Sequence, residues 1–470
     1  MFRFQVTTVG LSRTASFRVS LIAVMAALLF SGIQTYVSGW ALMNNGDGFR
    51  VLRSALVDYE LEATPYTRFP VDALITGREN PNYQSPIPSS TSGAVALGLS
   101  VGLTSLGIYK FHFAILSFIY FLCFFCGIIL LYSQAKSKFP GFLIVVTTLL
   151  ALSSPTYVGY FNSVFEEAAT LALAPLWVAL FFRAVYRDES GALFLVVSAL
   201  VAFSSKSAFL FTLPICALAF YRPRVAHFSA LFVVVTVQVA LFNIHMSVYP
   251  HANNFNRVFN GIAYATSGVS GWPAYNFSDR MKLAPERVTK ESFEASGLPS
   301  EFAAAWGKGY WPLGKSMDVE TRQRFSDLGA LTNFVKTFYR YLPLICKEAS
   351  FSAFRSDLSL GYLYNVKSMH TADERFGPFS YYWSGGVLLA IGGMLACATG
   401  ALRRNLPWSC AGAAVLLAPT YVVIGDGFYE FEKHLAPFLG YAMFLIPASI
   451  IAAVECRAPE KHVERGFALS

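Results

Sequence analysis

Four short polar segments carry acids and bases beside long apolar runs. They are Asn44-Asn45-Gly46-Asp47-Gly48, Asn162-Ser163-Val164-Phe165-Glu166-Glu167, Ser204-Ser205-Lys206, and Gly425-Asp426-Gly427 with Glu430, Glu432, Lys433 and His434. Ionisable groups are costly in a bilayer and gather where chemistry or transport happens. Asp47 sits between two glycines, so the chain can turn tightly and a large substrate can approach. Partly desolvated, its carboxylate suits a general base; it suits an Asx turn or the cap of a helix over Gly48–Tyr59 equally well. Glu166 and Glu167 open an apolar run, where the helix dipole favours acids. Two carboxylates exceed what a cap requires, and neighbouring helix residues point about 100° apart. One is expected to face a cavity, the other solvent or a partner. Lys433 and His434 open the last apolar run, where the dipole opposes bases. An anionic phosphate is their expected partner, with anchoring to lipid headgroups as the alternative. Lys206 is a weaker second phosphate ligand. Asn45, Arg50, Asn162, Asp426 and Glu432 complete the candidate substrate-binding set.

Acids and bases on one membrane face suit sugar transfer from a lipid-phosphate donor. A carboxylate deprotonates an acceptor hydroxyl, which attacks the anomeric carbon from behind, while Lys and His stabilise the departing phosphate. This chemistry requires no cofactor. A divalent metal is an open alternative, although the outer segments lack His-x-x-x-His or comparable ligand spacing. A transporter or flippase of a lipid-linked glycan and a glycan polymerase or ligase are the competing readings. Transport calls for ionisable groups at mid-membrane depth, and the apolar runs have almost none.

The elements that must position these residues are membrane spans. The 470 residues are 55% hydrophobic and only 14% charged, against about 25% charged in soluble domains. Apolar runs fall at about 19–43, 109–133, 140–157, 166–186, 191–204, 207–221, 225–248, 379–401, 406–424 and 435–454. They predict an all-α polytopic membrane protein of about ten spans. The runs 191–204 and 207–221 are short enough for one hairpin of half-depth helices, and Ala94–Ile108 reads as a surface or re-entrant helix. Arg3, Arg13 and Arg18 precede the first run, which is long for a signal peptide and reads as an uncleaved helix.

Lys136, Lys138, Arg183, Arg187, Arg222, Arg224, Arg403, Arg404, Arg457, Lys461 and Arg465 fall in alternate connections. The positive-inside rule then puts both termini in the cytoplasm and the four polar segments outside. Most of the net charge of +8 belongs to these connections and needs no nucleic acid to explain it. Residues 1–248 form an N-terminal module of about seven spans, with a first outer loop at 44–90. Residues 249–378 form an extracytoplasmic loop or cap, with helix-like stretches Asp318–Arg324 and Leu331–Leu342 bounded by Pro312 and Pro343. Residues 379–470 form a C-terminal module of about three spans and a short tail. Six of seven cysteines lie in or beside apolar runs, so no disulfide framework is implied. Cys123-x-x-Cys126 reads as packed or lipid-facing side chains.

Asn44-Asn45-Gly46-Asp47, Tyr160-Phe161-Asn162-Ser163-Val164-Phe165-Glu166 and Gly425-Asp426-Gly427 through Lys433-His434 occur in order across nearly the whole chain. Together with the topology they resemble the GT-C superfamily of integral-membrane glycosyltransferases, and more narrowly the WsfD-like bacterial hexose transferases of glycan biosynthesis. Asp47 matches the acid after the first span, and Glu166 or Glu167 the acid of the next outer loop. The family commonly carries a paired Asp-Asp or Asp-Glu in the first loop; here Asp47 is single, with Asp58 and Glu60 well downstream. The resemblance implies a GT-C-like fold in the bacterial cytoplasmic membrane, active on the outer side. It also implies a polyprenyl-phosphate-linked sugar donor, a glycan or lipid-linked acceptor, and inverting transfer. Asp47 is the expected base, with Glu166 positioning the acceptor or acting as the alternate base.

Overall fold

The computed structural model describes residues 13–37, 42–44, 49–58, 72–75, 88, 90–153, 155–163, 165–204, 210–248, 339–340, 342–347, 349–350, 362–364, 369–371, 385–426 and 431–456. The helices are α1 (Arg13–Val37), α2 (Phe49–Ser54), α3 (Thr91–Ser105), α4 (Phe113–Tyr132), α5 (Lys138–Ser153), α6 (Pro155–Phe161), α7 (Glu167–Phe182), α8 (Gly191–Ala202), α9 (Thr212–Tyr221), α10 (Val225–Val248), α11 (Gly385–Leu402), α12 (Leu406–Asp426) and α13 (Phe431–Glu455). Four described segments are long and apolar enough to cross a membrane: Phe113–Tyr132, Glu167–Arg187, Leu406–Gly425 and Lys433–Glu455. Shorter apolar helices surround them. The chain is therefore a helical integral membrane protein.

α7 is the centre of the bundle. Nearly every residue from Glu167 to Phe182 is buried, with α4, α8 and α13 packed around it. Gly127 of α4 allows a close crossing: a Cβ there would come within 2.3 Å of Leu176 N. Trp177 stacks among Phe181, Phe194, Phe211 and Tyr441, and its indole N–H donates to Ser198 Oγ at 2.9 Å. A wide ring such as Trp gains from burial only if its polar tip finds a partner, and Ser198 supplies it. α4 and α12 turn part of their apolar surface outward, with Leu416, Leu417 and Ile424 exposed, as helices facing lipid do.

The fold departs from the sequence expectations in several places. It is not all-α: two small antiparallel sheets flank the bundle, ordered β1-β5-β6 and β2-β3-β4. They comprise β1 (Leu42–Asn44), β2 (Val57–Asp58), β3 (Asp72–Ile75), β4 (Lys110–His112), β5 (Tyr362–Tyr364) and β6 (Met369–Thr371). The end of the first apolar run is thus a strand, with Asn44 opposite Tyr362. The helix expected over Gly48–Tyr59 is only α2, because Leu56 adopts φ 60°, a left-handed conformation that stops it. The run 140–157 breaks into α5 and α6 at Pro155, which has no N–H to continue a helix but fits its first turn. The runs 191–204 and 207–221 form the short helices α8 and α9; α8 packs on α7 and α10, α9 on α12 and α10.

Within residues 249–378, the stretch Asp318–Arg324 lies outside the described residues, and helical residues 342–347 run through Pro343 rather than stopping before it. The remaining mild run forms α3, which starts at Thr91 with Ser90 Oγ capping Gly93 N at 3.1 Å.

The bases do segregate. Arg187 lies at the C-terminal end of α7, where its Nη2 donates to Gln134 O at 2.9 Å. Glu455, closing α13, accepts from Lys136 N and Ser137 N, both at 2.8 Å. Tyr221 donates to Arg404 O at 3.1 Å, and Asp188 pairs with Arg222 and Arg224. These groups occupy the end of the bundle opposite Glu167 and Lys433.

Candidate functional site

The site grows from the turn between α6 and α7. Ser163 Oγ donates to Tyr160 O at 2.6 Å and accepts from Phe165 N at 3.2 Å, which folds the chain back on itself. Neighbouring helices hold this turn. Ser117 of α4 sits 2.7 Å from Phe161 O and 3.3 Å from Asn162 Oδ1. Ser92 of α3 sits 3.2 Å from Phe165 O and 3.1 Å from Glu166 O. Thr170 and Ser204 share a hydrogen bond that brings the end of α8 alongside.

Ionisable groups meet inside this frame. Glu166 and Glu167 are each 5% exposed and Lys433 is 4% exposed. His434 Nδ1 lies 3.5 Å from Glu167 Oε1, and Lys433 also acts electrostatically on Glu167. The Lys433 ammonium stands 5.4 Å over the Phe165 ring, a cation–π distance. Tyr160 donates to Lys433 O at 3.4 Å. Both glutamates are buried, and Glu167 faces a partner in His434, as expected of one of the pair. The bases at the start of α13, which the helix dipole opposes, have Glu167 as an internal counter-charge.

Three helix N-termini converge here: those of α3, α7 and α13. Ser92 joins the first to the second, and the Glu167–His434 contact joins the second to the third. Part of their N–H set is already met, with Thr91 N donating to Phe203 O, Gly93 N to Ser90 Oγ and Ala168 N to Phe165 O, while the positive ends of three helix dipoles face the cluster.

The other predicted residues fall as follows. Asn45, Asp47 and Lys206 lie outside the described residues. Arg50 is in α2, Asp426 ends α12, and Glu432 is in the first turn of α13, each placed by backbone. The elements bracketing Asp47 are β1 and α2, and α2 packs on α3. Sequence reading named Tyr160 and Phe165 only as members of a motif and did not place Ser92 or Ser117 in the site. Of the latter two, only Ser92 had a usable signal, the Ser-Ser-Thr-Ser-Gly run of a helix start.

The fold and site define a polytopic helical membrane protein with an ion cluster buried at one end of its bundle. Residues 19–269, just over half of the chain, match the family described as the YfdI N-terminal transmembrane domain, and the chain belongs to that family. The matched span includes Asp47, Glu166 and Glu167; Lys433 and His434 lie beyond it. Comparison with curated proteins and with solved structures finds no match.

Proposed function

We propose that this protein is an inverting, GT-C-type glycosyltransferase. It moves a hexose from a polyprenyl-phosphate donor to a cell-envelope glycan at the outer face of the bacterial cytoplasmic membrane. The buried cluster of Glu166, Glu167, Lys433 and His434, set where three helix N-termini meet, is the observation that carries this reading. Such a place favours a bound anion, and a lipid-linked sugar phosphate reaches it from the bilayer. Lys433 and His434, held in place by Glu167, stabilise the departing phosphate, with Lys206 as a further ligand. Asp47 takes the proton from the acceptor hydroxyl. Glu166 positions the acceptor or replaces Asp47 as base. Asn45, Arg50, Asn162, Asp426 and Glu432 line the substrate path.

The competing transport reading has less support. The segment Phe113–Tyr132, and Lys433–Glu455 between its charged ends, carry no Asp, Glu, Lys or Arg, whereas ion-coupled transport needs such groups at mid-depth.

Transfer from a polyprenyl-phosphate hexose in isolated membranes tests the proposal. Asp47→Asn is expected to cut the rate by about 10²–10⁴-fold, the usual contribution of a general base. Full activity in that variant reassigns the base. An envelope glycan unchanged in a strain lacking the protein, together with no transfer in vitro, refutes the function itself.

A further inference from the structure

The opposite end of the bundle holds a second cluster that sugar transfer does not use. The α7 helix finishes in a π turn, Arg183–Arg187, a backbone irregularity that recurs at functional sites. The turn sets Tyr186 and Arg187 against the C-terminal ends of α4, α11 and α13. Arg187 donates to Gln134 O at 2.9 Å, and Arg403 donates to Ala453 O. Tyr186 lies within electrostatic range of Arg403 and Cys456, and Cys456 within range of Arg187, Arg403 and Lys136. Three cations therefore surround the end of α13. The nearby acid, Glu455, already accepts from Lys136 N, Ser137 N and Ser137 Oγ, at 2.8, 2.8 and 2.7 Å.

Capping of helix C-termini accounts for part of this charge, since arginines there satisfy carbonyls and oppose the negative dipole ends. It does not account for the polar atoms left over. Gln134 Oε1, Arg183 Nε, Tyr186 Oη and Arg403 Nε are buried without a hydrogen-bond partner among the described residues. Gln134 is 1% and Arg183 7% exposed. Native interiors seldom leave such atoms unmet. The leftover set is two guanidinium N–H donors, a phenol and one amide acceptor, beside surplus positive charge. A phosphate diester next to a hydroxyl complements that set. Tyr132, Phe139 and Leu402 are large, exposed side chains at the same end, where acyl chains would lie.

We propose that Gln134, Tyr186, Arg187 and Arg403 form a binding site for the headgroup of an anionic glycerophospholipid, which ties the ends of α4, α7, α11 and α13 together. Basic pockets between helices recognise such headgroups at the positively charged membrane side. The site is independent of the transfer chemistry at the other end.

Thermal unfolding of the purified full chain in phosphatidylcholine nanodiscs, titrated with phosphatidylglycerol, tests this. A saturable rise in melting temperature is expected with phosphatidylglycerol, and none with added phosphatidylcholine or with inorganic phosphate. Arg403→Gln and the charge-neutral Tyr186→Phe should each weaken the apparent affinity about tenfold, as expected for loss of a hydrogen bond to a charged group. Arg404→Gln, which removes the same charge from an exposed neighbour, should leave the affinity unchanged. If Arg403→Gln does not fold, Tyr186→Phe decides alone. Equal weakening by Arg404→Gln overturns the proposal in favour of general attraction to a positive surface. An equal response to phosphatidylcholine or to inorganic phosphate also overturns it, as does wild-type affinity in Tyr186→Phe.

Discussion

Lys433 is the residue whose removal tests the buried cluster most directly. It is 4% exposed and acts on Glu167, which is 5% exposed. The general scale for such a pair is set by Coulomb's law: unit charges about 4 Å apart attract by about 4 kcal/mol at an effective dielectric of ~20. Much of that attraction offsets the cost of taking the groups out of water. What Lys433→Met reveals is a carboxylate left buried with less counter-charge, a loss of about 3–5 kcal/mol. Glu167→Gln strands the bases instead and costs a similar amount. The double variant removes both problems, so it should fall short of additivity by about 1.5–3 kcal/mol, within the range for contacting residues. The four proteins can be compared by unfolding in mixed micelles of dodecyl sulfate, followed by tryptophan fluorescence. Additivity to within about 0.5 kcal/mol would refute the pairing of Lys433 with Glu167.

Four further outcomes follow from the packing. Ser92→Ala strips a donor from the carbonyls of Phe165 and Glu166 and should cost about 1–3 kcal/mol, measured in the same unfolding assay. Gly127→Ala forces a Cβ against the backbone of Leu176 and should destabilise by about 1–3 kcal/mol. Gly98→Ala in α3, where nothing lies within 4 Å, should instead stabilise by up to about 1 kcal/mol. Trp177→Ala should cost about 3–5 kcal/mol, because its cavity lies within the aromatic core; a melting temperature close to wild type would show that the neighbouring rings collapse into the space.

How legible all this was depended on range along the chain. Glu166 and Glu167 could be placed at the start of a buried helix because the apolar run begins directly after them. The segregation of bases was equally readable, since short connections expose their charge pattern. The contact of Glu167 with His434 was not, because nothing local records which helix packs beside α7. The same holds for β1, whose partner β5 lies more than three hundred residues away. It reads as the tail of an apolar run until pairing fixes it as a strand. The break at Pro155 was local, yet the flanking residues are apolar enough to hide it. At Leu56, tertiary packing set a backbone conformation that its side chain does not favour, and α2 stopped short of its expected length.

The Glu167–His434 contact joins residues about 270 positions apart. At about 5–20 residues per second, a ribosome needs roughly fifteen to fifty seconds to make the second after the first. Throughout that interval the acids at the head of α7 have no partner from α13, so α7 has reason to keep its charged end in water. Seating of its N-terminus therefore becomes one of the last events of biogenesis. A chain cut short before α13 would present a half-inserted helix with bare carboxylates, a form that membrane quality control can distinguish from the finished protein.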